Sequence, residues 1–250
     1  MKPYYEDDMV TLYHGDFMSH LEMLIWARAE AIVTDPPYGE TSLEWDSWPK
    51  EWPAYMKGIA KALWCFGSVR MFLDHASEFH GWKYSHERVW VKQNGTGFAT
   101  DKFRRVHELA ALWYQDAWAD IRHDVPRVAQ QSVGNKSLRS RGKTPHAGEI
   151  GPGAYVDDGT RMMTTVQYAP NEQSRALHPT QKPLSTVTPL IEYSVPVGGL
   201  VVDPFAGSGT TLLAAKLSGR RAIGVEANEK YCEAAARRLS QQAFDFEGIA

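Results

Sequence analysis

The chain contains very little cysteine: two residues, Cys65 and Cys232, among 250. They form no CxxC pair and stand in apolar or helical contexts. That excludes a disulfide scaffold or thiolate metal centre and fits reduced, buried thiols in a cytoplasmic protein. No apolar run is long enough to span a bilayer, so no membrane association is expected. Met1 to Asp8 lacks the character of a signal peptide. The nine histidines make no H-E-x-x-H or comparable pattern, so no metal is expected. No G-x-G-x-x-G occurs, which argues against a dinucleotide-dependent dehydrogenase. A strong charge of either sign is also missing, the net value being −3.

With 43% hydrophobic and 23% charged residues, the composition is that of a soluble globular protein. Its length suits one α/β domain spanning 1–250 with a full core and room for an excursion. The charge is unevenly spread. Between Arg122 and His146, the cations Arg122, Arg127, Lys136, Arg139, Arg141 and Lys143 face a single acid, Asp124. A solvated loop and a DNA-contacting insertion would both look like this.

Ala31–Thr34 is a short apolar run stopped by prolines and predicts a buried parallel strand. Further strands are expected at Met9–Leu12, Ser68–Leu73, Tyr84–Val91, His107–Tyr114, Gly199–Val202 and Arg221–Val225. Apolar spacing predicts helices over Lys50–Trp64, Ala76–Trp82, Leu184–Tyr193 and Thr210–Leu217. A last helix begins after Asn228 as cap and runs to about Gln242. Lys92–Gly97 reads as a polar turn, and periodicity fades from Trp118 to Tyr168. A loop that long inside a domain is usually functional. Strand and helix alternate at both ends, which predicts a doubly wound, mostly parallel sheet with ligands at its carboxyl edge.

Two segments carry the chemistry. Val201-Val202-Asp203-Pro204-Phe205-Ala206-Gly207-Ser208-Gly209-Thr210-Thr211 reads as strand, turn and helix. Gly207 and Gly209 let the backbone turn tightly and approach a ligand. Asp203 at the strand end would repel a phosphate and favour a cation. Glu226 ends the next strand, where an acid can accept the hydroxyls of a ribose. Upstream, Asp35-Pro36-Pro37-Tyr38 closes the Ala31–Thr34 strand. The carboxylate of Asp35 and the carbonyl of Pro36 can face an exocyclic NH2 group, while the prolines stiffen the turn. Tyr38 can stack on a base.

Together and in this order, the two segments resemble the S-adenosylmethionine-dependent DNA amino-methyltransferases, in their permuted class β. The likeness runs from about Leu12 to Leu239. It implies a Rossmann-like methyltransferase fold with circularly permuted motif order and a target-recognition region inserted over 118–168. The implied cofactor is S-adenosylmethionine, leaving as S-adenosylhomocysteine. Double-stranded DNA is the implied partner, and since related enzymes often dimerise, a homodimer is among the implied states. Catalysis would fall to Asp35, Pro36, Pro37 and Tyr38. The cofactor would be held by Asp16, Thr180, Lys182, Asp203, Phe205, Gly207, Gly209, Thr210, Thr211 and Glu226. Within that set, Leu12-Tyr13-His14-Gly15-Asp16 resembles the family's L-x-x-G-D, which meets the adenine amine, though a surface turn would read the same. His178-Pro179-Thr180-Gln181-Lys182-Pro183 resembles H-P-T-Q-K-P, whose lysine is expected near the cofactor carboxylate. Arg104 and Arg105 would lie near DNA phosphates, with Arg122, Arg127, Lys136, Arg139, Arg141 and Lys143 beside them. His107 and Glu108 are expected to be mainly structural. Gln130, Gln131 and Asn135 could read base edges.

Aspartate at the first motif position favours adenine N6 as target. Cytosine N4 is the alternative, and a catalytically inactive DNA-binding subunit is the alternative of another class. RNA and protein amino-methyltransferases usually carry the two motifs in the opposite order.

Overall fold

The computed structural model describes residues 2–41, 46–96, 100–129, 158–170 and 181–244. In chain order the elements are β1 (Tyr5–Glu6), β2 (Val10–His14), α1 (Leu21–Ala27), β3 (Ala31–Thr34), α2 (Trp52–Met56), β4 (Ala62–Gly67) and α3 (Val69–Asp74). Then follow β5 (Lys83–Thr96), β6 (Arg105–Tyr114), β7 (Arg127–Ala129), β8 (Thr160–Met162) and β9 (Val166–Tyr168). The chain closes with α4 (Leu184–Ser194), β10 (Leu200–Asp203), α5 (Thr210–Leu217), β11 (Arg221–Glu226) and α6 (Glu229–Phe244).

Among the described residues one sheet has the strand order β1-β2-β11-β10-β3-β4-β6-β5-β9. Its centre, β2 through β4 in that order, is parallel throughout. Strands β3, β4 and β10 are buried at every position. That accounts for their unbroken apolar character, since helices cover both faces. Side chains alternate between the two layers. Val33, Trp64 and Val201 pack with Leu190 and Ile191 of α4, Leu212 and Leu213 of α5 and Leu239 of α6. Ile32, Leu63, Cys65 and Val202 pack with Leu24 of α1, Trp52 and Met56 of α2 and Met71 of α3. Each fully buried large side chain contributes about 1.5–3 kcal/mol of transfer free energy. This is the doubly wound architecture expected from the alternation of elements.

Several local expectations are corrected. Helical spacing over Lys50–Trp64 gives only α2, and Ala62–Trp64 instead opens the buried strand β4. Ser68–Leu73 is helix α3 and not a strand. The Ser68 hydroxyl caps it by accepting from the Met71 amide at 3.0 Å. Val69 and Leu73 on that helix face solvent, and this exposed apolar pair imitates a strand pattern. Ala76–Trp82 shortens to one 3-10 turn, Ala76–Phe79. Lys92–Thr96 continues β5 rather than turning.

The chain divides into two compact units, one of them Val125–Met163 and the other the rest. Within the smaller unit β7 and β8 pair antiparallel, Arg127 opposite Met162. Ile121 is buried in the main core and β9 joins the main sheet beside β5.

Strands β3 and β10 are parallel neighbours, Ile32 opposite Val202. From β3 the sheet continues through β4, and from β10 it continues the other way through β11. The chain order thus reverses between them, which opens a crevice beyond their carboxyl ends. Both motifs of interest leave the sheet there, side by side.

Candidate active site

A cleft of about 490 Å³ lies beyond those strand ends. Its lining includes Asp16, Asp35, Pro36, Pro37, Tyr38, Lys182, Asp203, Phe205, Gly207, Thr210, Thr211 and Glu226. The fold therefore gathers residues from both ends of the chain around one space.

The glycine turn builds one side. Gly207 and Gly209 have φ of 52° and 76°, the left-handed region open to glycine. A Cβ on Gly209 would also meet the Ala235 Cβ at 2.9 Å. Gly209 thus sets the turn and lets α5 pack closely on α6. Glu226 braces the turn: its carboxylate accepts from Gly207 N–H at 2.8 Å and from Asn228 N–H at 2.7 Å. Asn228 caps α6, accepting from the Lys230 amide at 3.0 Å. On the far side Arg238 donates to the Ser208 carbonyl at 2.7 Å and to the Thr210 hydroxyl at 3.2 Å.

Asp203 is buried at the end of β10. It accepts from the Thr34 hydroxyl at 2.7 Å and the Phe205 amide at 3.1 Å. Burial pushes its carboxyl up to about 6, and the charge of Asp35 adds to the shift; the bonds from Thr34, Thr211 and Phe205 act in the other direction. Burial likewise raises Glu226. Phe205 packs edge-on against Phe17 and Trp52, with centroids 5.3 and 5.4 Å away. Asp16 caps the short turn after β2, accepting from the Met18 amide at 2.8 Å. The Gly15 amide donates to the Glu226 carbonyl at 2.9 Å, which ties the L-x-x-G-D turn to the end of β11.

The D-P-P-Y turn builds the other side. The Tyr38 hydroxyl donates to Asp35 Oδ1 at 2.5 Å. Lys182 pairs with Asp35 Oδ2 and lies 3.3 Å from Glu108 Oε2. Lys92 pairs with Glu108. The Lys182 ammonium also sits 5.8 Å from the Tyr38 ring centroid and 5.2 Å from that of Phe66. Burial alone would lower Lys182, but Asp35 and Glu108 outweigh it and raise its pKa. Burial would raise Glu108, and Lys182 with Lys92 holds it lower. Burial, with the charges of Asp35 and Glu108, pushes Tyr38 well above the usual phenol value.

Lys182 is thus paired with Asp35 of the D-P-P-Y turn and also lines the cleft, where the resemblance implies a place near a cofactor carboxylate. Glu108 is part of the same buried charge cluster and lines the cleft. His107 is exposed rather than packed.

Asp46 gave no signal in the sequence. It is buried, and it accepts hydrogen bonds from four consecutive backbone amides. Oδ1 takes Tyr38 N–H at 2.7 Å and Gly39 N–H at 2.9 Å; Oδ2 takes Glu40 N–H at 3.1 Å and Thr41 N–H at 2.7 Å. Such a run of amides is a nest that holds an anion. Burial would raise Asp46, but these bonds and the Thr41 hydroxyl outweigh it and lower its pKa. The carboxylate therefore sets the backbone that carries Tyr38.

Of the expected DNA contacts, Arg104 and Arg105 are exposed between β5 and the start of β6. Arg105 lies 3.3 Å from Glu40. Arg122 pairs with Asp124 at 2.7 Å. Arg127, in the smaller unit, pairs with Asp158 at 3.2 Å. Thr180, Lys136, Arg139, Arg141, Lys143, Gln130, Gln131 and Asn135 lie outside the described residues. Among the described residues no group of His, Cys, Asp or Glu could hold a metal ion. Among the described residues no helix is long and apolar enough to cross a membrane.

Fold and cleft define an α/β protein with a ligand site at the switch point of a doubly wound sheet. A family model described as DNA methylase, of the N6/N4 type, matches residues 29–237. The chain belongs to that family, the S-adenosylmethionine-dependent DNA amino-methyltransferases. It is 28% identical to the type II methyltransferase M.ScaI of Streptomyces caespitosus, over 97% of this chain and 85% of that one. It is 26% identical to M2.DpnII of Streptococcus pneumoniae, over 96% and 93%. Among solved structures, the M1.HpyAVI–SAM complex superposes with a TM-score of 0.65 at 24% identity, over 92% of this chain and all (100%) of that one. The cytosine-N4-specific PvuII DNA methyltransferase does so with 0.62 at 18% identity, over 95% and 89%. Both likenesses are of fold.

Proposed function

We propose that this DNA methyltransferase transfers a methyl group from S-adenosylmethionine to adenine N6 of a base flipped out of duplex DNA. The observation that carries the reading is the adjacency of Asp35 and Asp203 at the ends of neighbouring strands, which supports a base site set against a cofactor site. The aspartate of Asp35-Pro36-Pro37-Tyr38 favours adenine over cytosine, by family tendency.

The cleft fits the cofactor. Its size suits a nucleoside ligand. Asp203, costly to ionise where it is buried, would be relieved by a ligand ammonium. Glu226 keeps lone pairs for ribose hydroxyls, and Asp16 stands at the adenine end. S-adenosylmethionine supplies an electrophilic methyl group on a sulfonium.

The rest falls to the chain. An adenine amine is a poor nucleophile because its lone pair is delocalised into the ring. Asp35 Oδ1 and the Pro36 carbonyl accept its two N–H bonds and favour a tetrahedral nitrogen. Asp35 Oδ1 holds the Tyr38 hydroxyl in the free protein. Entry of the base exchanges that donor for an amine N–H and frees Tyr38 to stack on the ring. Lys182 keeps Oδ2 in place throughout. As the nitrogen bonded the methyl carbon, that carbon's bond to sulfur would break and S-adenosylhomocysteine would leave; the extra proton on nitrogen would pass readily to water, so Asp35 need not be a strong base. Held in line, the reactants need mainly positioning.

We further propose that Val125–Met163, with the basic residues that follow Arg122, is the target-recognition region on duplex DNA. Soluble, cytoplasmic action as a monomer or homodimer belongs to the same reading. The test is incubation with isotope-labelled S-adenosylmethionine and mixed-sequence duplex DNA, followed by nucleoside mass spectrometry. Labelled N6-methyladenine supports the reading. Labelled N4-methylcytosine would overturn the choice of base, and unlabelled DNA would overturn the substrate.

A further inference from the structure

We propose that Phe103 is a wedge that enters the duplex where the target base leaves it; this rests on the base-flipping reading above. Strands β5 and β6 pair antiparallel with Thr96 opposite Arg105, and the described residues 100–104 lead into β6 at that end of the pair. At 105% relative exposure Phe103 is the most exposed large apolar side chain among the described residues. A single exposed apolar residue is ordinary on a protein surface. Its setting is what matters. Lys102 precedes it and Arg104 and Arg105 follow, all exposed, with Asp101 as the nearby acid. A phenyl ring set among cations suits a surface that is anionic outside and aromatic inside, which describes duplex DNA.

This segment also stands at the catalytic mouth. Arg105 lines a cavity of about 230 Å³ together with Tyr38, Ser68, Arg70, His107 and Glu108. Arg105 is also paired with Glu40, two residues beyond Tyr38. Phe103 is two residues from Arg105, roughly 7 Å of extended chain. A duplex delivering its base to Tyr38 would therefore meet Phe103 at its stack. Extrusion leaves an unpaired partner base and an open step. The ring fills that step by stacking, while the neighbouring cations hold the phosphates.

The test uses Phe103→Ala and Phe103→Trp in the full chain, on a duplex whose site has been mapped by sequencing methylated DNA. Phe103→Ala should lower kcat/KM on the paired duplex by roughly 5- to 150-fold, the factor that one base–aromatic stack is worth. On a duplex with an abasic position opposite the target, where little flipping cost remains, most of that loss should vanish. Phe103→Trp should stay near the parent, and cofactor affinity and Tm should be unchanged in both. Equal activity of Phe103→Ala and parent on the paired duplex would overturn the wedge. So would an equal loss on both duplexes, which means general DNA contact. Failure of the parent itself to methylate DNA would instead overturn the underlying function.

Discussion

The two turns that face each other across the cleft are held in different ways. The glycine turn, Asp203 to Thr210, is braced by its own C-terminal neighbourhood: Glu226 on β11, Asn228 after it, and Ala235 and Arg238 on α6. The D-P-P-Y turn is held by charges from remote parts of the chain. Lys182 is 147 positions from Asp35, and Glu108 comes from the antiparallel side of the sheet. Asp46 supports the backbone from beneath. A ligand-cradling turn can be built from backbone conformation and local bonds. On the proposed function the other turn presents a carboxylate to an amine at a set angle, which needs that carboxylate clamped, and here the clamps are ionic.

This contrast can be broken at its strongest point first. Asp35→Ala should lower methyl transfer by roughly 10³-fold or more. Cofactor affinity, measured by calorimetric titration, should stay within a few-fold. Loss of both together would mean that Asp35 chiefly supports the fold.

Lys182→Met comes next. It leaves Asp35 and Glu108 facing each other without their shared cation, and truncating one partner of a buried ionic cluster costs about 3–5 kcal/mol. Thermal or urea unfolding should show that loss, together with a fall in kcat. A variant of unchanged stability would show that Asp35 and Glu108 do not depend on Lys182.

Asp46→Asn replaces two of the four acceptor contacts with an amide that donates where acceptance is needed. We expect kcat to drop roughly 10- to 100-fold through misplacement of Tyr38. The KM for cofactor should stay level, and Asp46→Ala should be worse than Asp46→Asn. A parallel rise in cofactor KM would point to a collapsed cleft instead of a misaligned tyrosine.

The smallest effect concerns pH and the glycine side. Asp203 titrates at about 6 in the folded protein against an ordinary value of 3.8. Between those values the folded state binds more protons than the unfolded state. Asp203 therefore contributes stability to the cofactor-free protein at low pH and loses it as pH rises through about 6. A ligand ammonium beside Asp203 requires the ionised form, so cofactor affinity should climb with pH up to about 6 and level off above, by at most ~10-fold per pH unit. Titrations across this range check the trend, and Asp203→Asn should flatten it. A flat profile in the parent would remove Asp203 from the cofactor's charged end.

Legibility in the sequence follows the same division. Strands β3, β10 and β11 and helices α4, α5 and α6 could be read because apolar runs, Pro and Gly punctuation and the Asn228 cap act over a few residues. The β4–α3 segment was misread because its exposed apolar residues, Val69 and Leu73, hid a helix behind a strand-like pattern. The Ser68 cap was the available signal. Asp46 and the ionic role of Glu108 had no local signature, since an isolated acid in a loop or strand looks the same whether it is solvated or buried.

By itself the sequence determined the family, the two turns and their permuted order, because stiff prolines, permissive glycines and buried strands impose their geometry locally. Only the tertiary structure decided that Lys182 clamps Asp35, that Asp46 seats Tyr38 and that Phe103 stands in solvent. A charge can be buried only where opposite charges or amides meet it, and here folding brings those partners from elements remote in the chain.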